Sequence, residues 1–300
     1  MVSSSNAITV EGLVKHYKKA KALDGLDFTI PSGAITGFLG PNGAGKTTTF
    51  RALLGLTRPN AGRIEILGHH VPAELKAVTK QVGAIIEEPG LIRALGGRNN
   101  LEVAADTLGF GHERIGELLE FVELTQDAKR RVEEYSKGMR QRLALAAALL
   151  GEPELLLMDE PLDGLDPSGQ RGFRERLRQI ADEGRTVVVS SHDLADIEAL
   201  ADYVVVINHG RLVVQGTLDE LLGGSGGTRV VVADPTAAVA ALAAAGIEAV
   251  AESNGLTVHE EDGSRIVEAL ARSGIYPSEV ASIRSSLESV FLGMTTEATS

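Results

Sequence analysis

Gly40-Pro41-Asn42-Gly43-Ala44-Gly45-Lys46-Thr47 fits the spacing G-x-x-x-x-G-K-[ST]. Glycines at these places let backbone N–H groups curl around an anion. A helix starting near Lys46 adds its positive end, Lys46 reaches the outer phosphates, and Thr47 is placed to ligate Mg²⁺. Leu155-Leu-Leu-Met-Asp159-Glu160-Pro161 supplies a second half. A carboxylate ending a buried strand beside a phosphate loop is placed to hold a metal ion, and the next acid to orient or deprotonate water. In that reading Asp159 is the metal-side acid and Glu160 the base.

Three further segments invite chemistry. Tyr135-Ser136-Lys137-Gly138-Met139 precedes a strongly helical Arg140 to Leu150, offering a hydroxyl, an unhindered Gly backbone and a second helix N-terminus to an anion. His192 follows Val187-Val-Val-Ser-Ser191. It fits a structural strand end as well as a donor to a γ-phosphate or an attacking water. Lys15-His16-Tyr17-Lys18-Lys19 fits either a ring that stacks a base among phosphate-facing charges or a solvated basic loop.

The elements that position these groups read as α/β. Apolar strands Ile35 to Leu39, Leu155 to Met158 and Thr186 to Ser190 alternate with helical patterns, which predicts a largely parallel sheet. Each polar group then sits at the carboxyl end of a buried strand, where open α/β sheets bind ligands. Thr47 to Leu54 reads as a helix. Tyr203 to Ile207 and Arg211 to Gln215, joined by Asn208-His209-Gly210, read as a hairpin with Gly supplying the positive φ.

Gly223-Gly-Ser-Gly-Gly227 cannot pack a core and reads as a linker. Beyond it, Val239-x-x-Leu242-x-x-x-Gly246-Ile247 recurs as Val267-x-x-Leu270-x-x-x-Gly274-Ile275. Each copy reads as a short helix with a Gly C-cap, then a strand. With Val230 to Ala233 before and Asn254-Gly255 as a turn between, the order is β-α-β-β-α-β, a ferredoxin-like split βαβ. A helix from Ser286 to Met294 closes it. A small Ala-rich helical bundle is the competing arrangement.

The 300 residues carry a net charge of −12 and no Cys, which excludes disulfides and Cys-based metal sites. All nine Lys lie at or before Lys137, and residues 228–300 hold four Arg against ten acids. That balance argues against broad electrostatic binding to nucleic acid. The longest apolar run, Ala237 to Ala245, is nine residues, against the roughly 20 a spanning helix needs. Met1 to Asn6 shows no basic region leading into an apolar one, so no secretion signal is expected there.

Taken together, the segments closely resemble the ATP-binding subunit of ABC transporters over about Ala7 to Leu222. On that resemblance Gly40 to Thr48, including Thr48 itself, matches the Walker A loop and Leu155 to Glu160 matches Walker B with its catalytic glutamate. Ser136, Gly138 and Met139 match the signature, Asp166 the D-loop, His192 the switch histidine and Tyr17 the adenine-stacking aromatic. The family's usual Gln falls at Ile86-Glu87-Glu88-Pro89, where Glu87 takes its place as a further metal-side group; Lys137 replaces a usual Gly.

The resemblance implies a P-loop NTPase of the ABC ATPase fold, with a helical subdomain at about 87–150. It further implies an ATP-binding domain at 7–222, a linker at 223–227 and an α+β accessory domain at 228–300. ATP and Mg²⁺ are the implied cofactors. The implied partners are a second ATPase chain, a homodimer or a paired ABC ATPase, whose signature closes on ATP in trans, and a separate membrane permease. The place implied is the inner face of the cell membrane.

Glu-Glu-Pro-Gly, the Tyr-Ser-x-Gly-Met signature and the tail are most similar to the drug, daunorubicin and bacitracin resistance exporters, whose tails imply a role in dimer contact or regulation. The competing class is a soluble ABC-type ATPase acting on nucleic acid or ribosomes. Such proteins usually carry two cassettes, a coiled coil or a zinc insertion, and this chain has one cassette, no Cys and no heptad run. A GTPase is a further rival through Asp166-Pro-Ser-Gly169, but no Asn-Lys-x-Asp motif occurs.

Overall fold

The computed structural model describes residues 5–18, 20–86, 90–223, 227–252, 255–260, 262–283 and 287. The chain divides into two compact units, Met1–Thr217 and Leu218–Ser300.

The first unit opens with two long antiparallel strands, β1 (Asn6–Tyr17) and β2 (Ala20–Pro31), then β3 (Ile35–Leu39) and helix α1 (Lys46–Leu53). Strands β4 (Ala61–Ile66) and β5 (His69–Val71), helix α2 (Leu75–Val78) and strand β6 (Val82–Ile85) follow. Helices α3 (Gly97–Leu108), α4 (Ile115–Phe121) and α5 (Lys137–Ala148) form the helical stretch before β7 (Leu155–Met158). Helix α6 (Pro167–Asp182), β8 (Thr186–Ser191), α7 (Leu194–Glu198) and the hairpin β9 (Tyr203–Asn208) and β10 (Arg211–Thr217) complete it.

Two sheets result. One is antiparallel, ordered β2-β1-β4-β5; the other is ordered β10-β9-β3-β8-β7-β6 and is parallel apart from edge strand β10. Strands β3, β7 and β8 are buried along their whole length, which explains why they read as unbroken apolar runs instead of alternating patterns. Phe28 of β2, Phe38 of β3 and Phe50 of α1 stack in series, with ring centroids 5.3 and 5.6 Å apart. These edge-on and tilted contacts join both sheets to the helix behind the glycine loop.

Helix starts follow local chemistry. Ser136 caps α5 by accepting the Met139 N–H at 3.2 Å, and Asp166 caps α6, with Pro167 at its first position, by accepting the Gly169 N–H at 3.1 Å. In the hairpin turn Gly210 supplies the expected positive φ, at 72°, and His209 joins it in the left-handed region at 47°.

The second unit begins with α8 (Leu218–Gly223) and runs β11 (Gly227–Val231), α9 (Pro235–Ala244), β12 (Ala249–Glu252), β13 (Gly255–Val258), α10 (Gly263–Arg272) and β14 (Glu279–Ile283). Its sheet is ordered β12-β13-β11-β14 with every pair antiparallel, the split βαβ arrangement and not a bundle. The sequence repeat is a repeated helix ending. Gly246 and Gly274 both sit at φ 73°. The Ile247 and Ile275 N–H groups donate to Leu242 and Leu270 carbonyls at 3.0 Å, and the Gly246 and Gly274 N–H groups donate to the next carbonyls, those of Ala243 and Ala271, at 3.0 and 2.9 Å. That is the Schellman closure, with the isoleucine following the glycine turned inward. Asn254 of the expected turn lies outside the described residues, as does the expected closing helix Ser286 to Met294 apart from Leu287, which is buried.

Candidate functional site

The phosphate-type loop runs from the end of β3 into α1, and its shape is set by close approaches that only glycine permits. A Cβ at Gly40 would lie 2.5 Å from the Ile207 carbonyl; one at Gly45, where φ is +112°, would lie 2.7 Å from the Ala22 carbonyl. The tip of the β9–β10 hairpin braces the loop: the Gly210 N–H donates to the Ala44 carbonyl at 2.9 Å, and the Gly210 carbonyl accepts from the Asp24 N–H at 2.9 Å. Pro41, Asn42 and Gly43 form the exposed rim of the loop, whereas Ala44 is buried.

Lys46 is only 5% exposed. Its Nζ donates to the Gly40 carbonyl at 2.8 Å and lies 3.3 Å from Glu160 Oε1. Thr47 Oγ1 donates to Asp159 Oδ2 at 2.6 Å. Thr48 lies half-buried in the first turn of α1. Glu160 has a left-handed φ of 48°, and its second oxygen lies 3.0 Å from His192 Nδ1. The loop, both acids of the β7 end and the histidine of the β8 end are therefore one cluster at the carboxyl ends of three adjacent parallel strands.

Sequence reasoning missed Ser190. This buried residue donates a short hydrogen bond to Asp159 Oδ1 and accepts the Glu160 N–H at 2.9 Å. The available signal was a polar residue inside an otherwise valine strand. Behind the cluster lies a polar pocket of about 80 Å³, lined by Glu160, Asp163, Gln170, His192, Asp193 and Asp196. Burial, and then repulsion from Asp193, push the Asp196 carboxyl above its ordinary value, while Arg174 opposes the shift from 2.8 Å.

The signature residues stand elsewhere. Ser136, Gly138 and Met139 line a cleft of about 270 Å³ with Leu165, Asp166 and Gly169, and no residue of the glycine loop lines it. The Ser136 hydroxyl, offered above to an anion, also caps its own helix by accepting the Met139 N–H, a bond that leaves its own proton to donate. Lys137 lies 3.4 Å from Asp163 Oδ2, so it is ion-paired within the chain, an arrangement absent from the sequence reading.

Tyr17 ends β1. It is 42% exposed, with Lys15 Nζ 4.9 Å from its ring centroid and its hydroxyl 3.3 Å from Thr57 Oγ1. It pairs with Ala20, in the same strand as the Ala22 carbonyl that abuts Gly45. Glu87 lies outside the described residues. Among the described residues no helix is long and apolar enough to cross a membrane.

A glycine loop between a buried strand and a helix, facing paired acids on a neighbouring parallel strand, defines a P-loop nucleoside triphosphatase. The model of the ABC transporter family matches residues 23–163. The chain is 41% identical to the daunorubicin resistance ATP-binding protein DrrA3 of Streptomyces coeruleorubidus, over 97% of this chain and 96% of that protein. It is 42% identical to the bacitracin transport ATP-binding protein BcrA of Bacillus licheniformis, over 72% of each. A solved ATP-binding subunit of an ABC transporter superposes with a TM-score of 0.65 at 31% identity, covering 72% of this chain and 91% of that one. The chain belongs to the ABC transporter ATP-binding family, and it is an ATPase subunit related to the drug- and antibiotic-resistance exporters.

Proposed function

We propose that this subunit hydrolyses ATP to power export of a drug-, antibiotic- or lipid-like cargo through a separate membrane permease. The observation that carries the reading is the convergence of two contacting sets at the strand ends, Thr47 with Asp159 and Lys46 with Glu160 and His192. The export direction is supported by the full-length match to a resistance protein, which extends through the second unit.

Lys46 and the amides of Gly40 to Thr48 hold the β- and γ-phosphates, and Tyr17 stacks the adenine. Thr47 and Asp159 suit Mg²⁺: a hydroxyl and a carboxylate oxygen 2.6 Å apart are hard donors, and one or two carboxylates beside substrate phosphates are what this ion usually takes. Glu87 is assigned to the same ion through the family pattern. When bound, the ion supplies charge neutralisation at the phosphates.

Glu160 accepts a proton from water as the water oxygen bonds to the γ-phosphorus and the bond to ADP breaks. His192 orients the Glu160 carboxylate and the γ-phosphate. Catalysis here is positioning and charge stabilisation more than covalent chemistry.

Ser136, Gly138 and Met139 serve a second copy's nucleotide, and Asp166 holds the adjoining D-loop. Their cleft, which no residue of the chain's own glycine loop lines, suits completion in trans by a homodimer or a paired ATPase. The permease docks on the cleft of about 530 Å³ between β6 and α3, whose rim exposes Ile92, Val103 and Leu108. Docking there places the subunit on the inner face of the membrane. The boundary between the ATPase domain (7–222) and the accessory domain (228–300) is assigned to the glycine-rich run 223–227, just past the division of the compact units after Thr217.

Glu160→Gln tests the reading. The variant is expected to bind ATP, lose at least about 100-fold in turnover and accumulate as an ATP-bound dimer in size-exclusion chromatography. Turnover at the wild-type rate would overturn the assignment.

A further inference from the structure

The roles given to Asp159 and Glu160 depend on one buried hydroxyl that neither the motifs nor the family comparison singles out. Ser190 is fully buried in β8. Parallel pairing of β7 with β8 sets Met158 opposite Val189, so the next step along both strands brings Asp159 beside Ser190. The Ser190 Oγ donates to Asp159 Oδ1 and accepts the Glu160 N–H at 2.9 Å. A hydroxyl has one proton to give and lone pairs to receive, so both functions of this one are engaged at once.

Each bond has a geometric consequence. The terminal torsion of a carboxylate is broad and roughly two-fold, and left alone Asp159 would present either oxygen to the glycine loop. With Oδ1 held from β8, Oδ2 is the oxygen that meets Thr47 Oγ1 at 2.6 Å. Glu160 occupies a left-handed backbone conformation with φ 48°, which L-residues with long side chains rarely adopt. The bond from its N–H to Ser190 holds that turn, and the turn sends the carboxylate to Lys46 Nζ at 3.3 Å and His192 Nδ1 at 3.0 Å.

We propose that Ser190 is a positioning residue for hydrolysis: its single hydroxyl locks the carboxylate of the metal-side acid and the backbone of the water-activating acid into one mutual geometry. Ser190 acts through these residues and does not touch the nucleotide. The inference rests on the roles assigned to Asp159 and Glu160 under the proposed function.

The experiment compares Ser190→Ala, Ser190→Val and Ser190→Thr in the full-length chain. Valine and threonine have similar shapes and differ in the hydroxyl, so packing effects are common to both. Four quantities are read: kcat for ATP, KM for ATP, the Mg²⁺ concentration giving half-maximal activity, and the affinity for a fluorescent ATP analogue with Mg²⁺ and in EDTA.

Alanine and valine are expected to lower kcat about tenfold or more and raise the Mg²⁺ requirement severalfold. They should weaken analogue binding in Mg²⁺ and leave binding in EDTA within about twofold of wild type, as expected for an effect felt through the metal-side acid. Threonine is expected to recover most of what valine loses. Wild-type kcat and Mg²⁺ dependence in Ser190→Ala would overturn the proposal. So would equal losses in the valine and threonine variants, or a lowered melting temperature with unchanged kinetics. Asp159→Asn and Glu160→Gln run alongside. Wild-type turnover in those two overturns the functional reading itself, whereas their inactivity beside a fully active Ser190→Ala removes only the role of Ser190.

Discussion

Replacing Gly45 by alanine separates two reasons a glycine is needed in the phosphate loop. The backbone there sits at φ +112°, outside the regions open to residues with a Cβ, which costs about 1–3 kcal/mol. The added carbon would also lie 2.7 Å from the Ala22 carbonyl and 2.8 Å from Leu23 Cδ2. Ala22 lies in β2 between Lys21 and Leu23, which pair with His16 and Lys15 of β1, so its carbonyl cannot retreat without shifting two paired neighbours. Overpacking of this kind adds about 1–3 kcal/mol. Gly43 is the internal control, with φ +83° and nothing within 4 Å of an added Cβ; its alanine variant bears only the backbone strain, about 1–2 kcal/mol. Hydrogen exchange in increasing urea, read on peptides from β2 and α1, follows the first unit directly and avoids treating a two-unit chain as one transition. Gly45→Ala is expected to lose more stability than Gly43→Ala and to bind a fluorescent ATP analogue more weakly than that control. Equal stability losses in the two variants would refute the steric argument and leave only the dihedral one.

Three other substitutions test links outside the glycine loop. Arg176 is buried in α6, donating to the Phe121 carbonyl at 3.0 Å and pairing with Glu123 at 2.8 Å, while the Glu123 side chain is 72% exposed. Arg176→Ala should therefore cost about 3 kcal/mol through a lost buried bond and a cavity, and Glu123→Gln less than about 1 kcal/mol. Urea denaturation measures both, and equal costs would refute the asymmetry. Burial, and then the nearby Asp127, push the Tyr135 phenol above its ordinary value of 10.0. Above pH 10.0 the unfolded chain releases this proton before the folded one does, so the Tyr135 contribution is complete below that pH and is lost as pH rises through the folded value. Tyr135→Phe should be less stable at neutral pH, lacking the bond to the Asp127 carbonyl at 2.7 Å, and should show a shallower loss of stability in alkali. An unchanged alkaline slope in the variant would refute the assignment of that slope to Tyr135.

What the sequence revealed of the site follows from how local each determinant is. The loop from Gly40 to Thr48 was legible because glycine spacing, lysine and threonine all act within one turn of chain. The repeat of the second unit was legible for the same reason, since each Schellman closure spans only Leu242 to Ile247 or Leu270 to Ile275. Ser190 was not legible, because its partners are in another strand and a serine near a strand end has many uses. The antiparallel sheet was missed as well. Register shifts between Val10 and Leu13, and again between Leu13 and Val14, break the alternation that marks a half-buried strand. The ion pair of Lys137 with Asp163 joins a helix start to a loop far along the chain, and no periodicity reports such a contact.

The phosphate loop is held from three directions by backbone, not by flexible side chains. Helix α1 continues it, the Ala22 carbonyl of β2 abuts Gly45, and the Gly210 amide at the hairpin tip donates to Ala44. The two acids are fixed in turn by β8, through Ser190 and His192. Donors and carboxylates anchored this way lose little orientation when phosphates arrive, so their electrostatic effect is available without reorganisation, which is the condition under which fixed dipoles and charges stabilise a transition state most. The cleft assigned to the permease is built from β6 and the helical stretch, and Glu87, assigned to the metal ion, follows the end of β6 in sequence, so the two proposed sites meet at that strand.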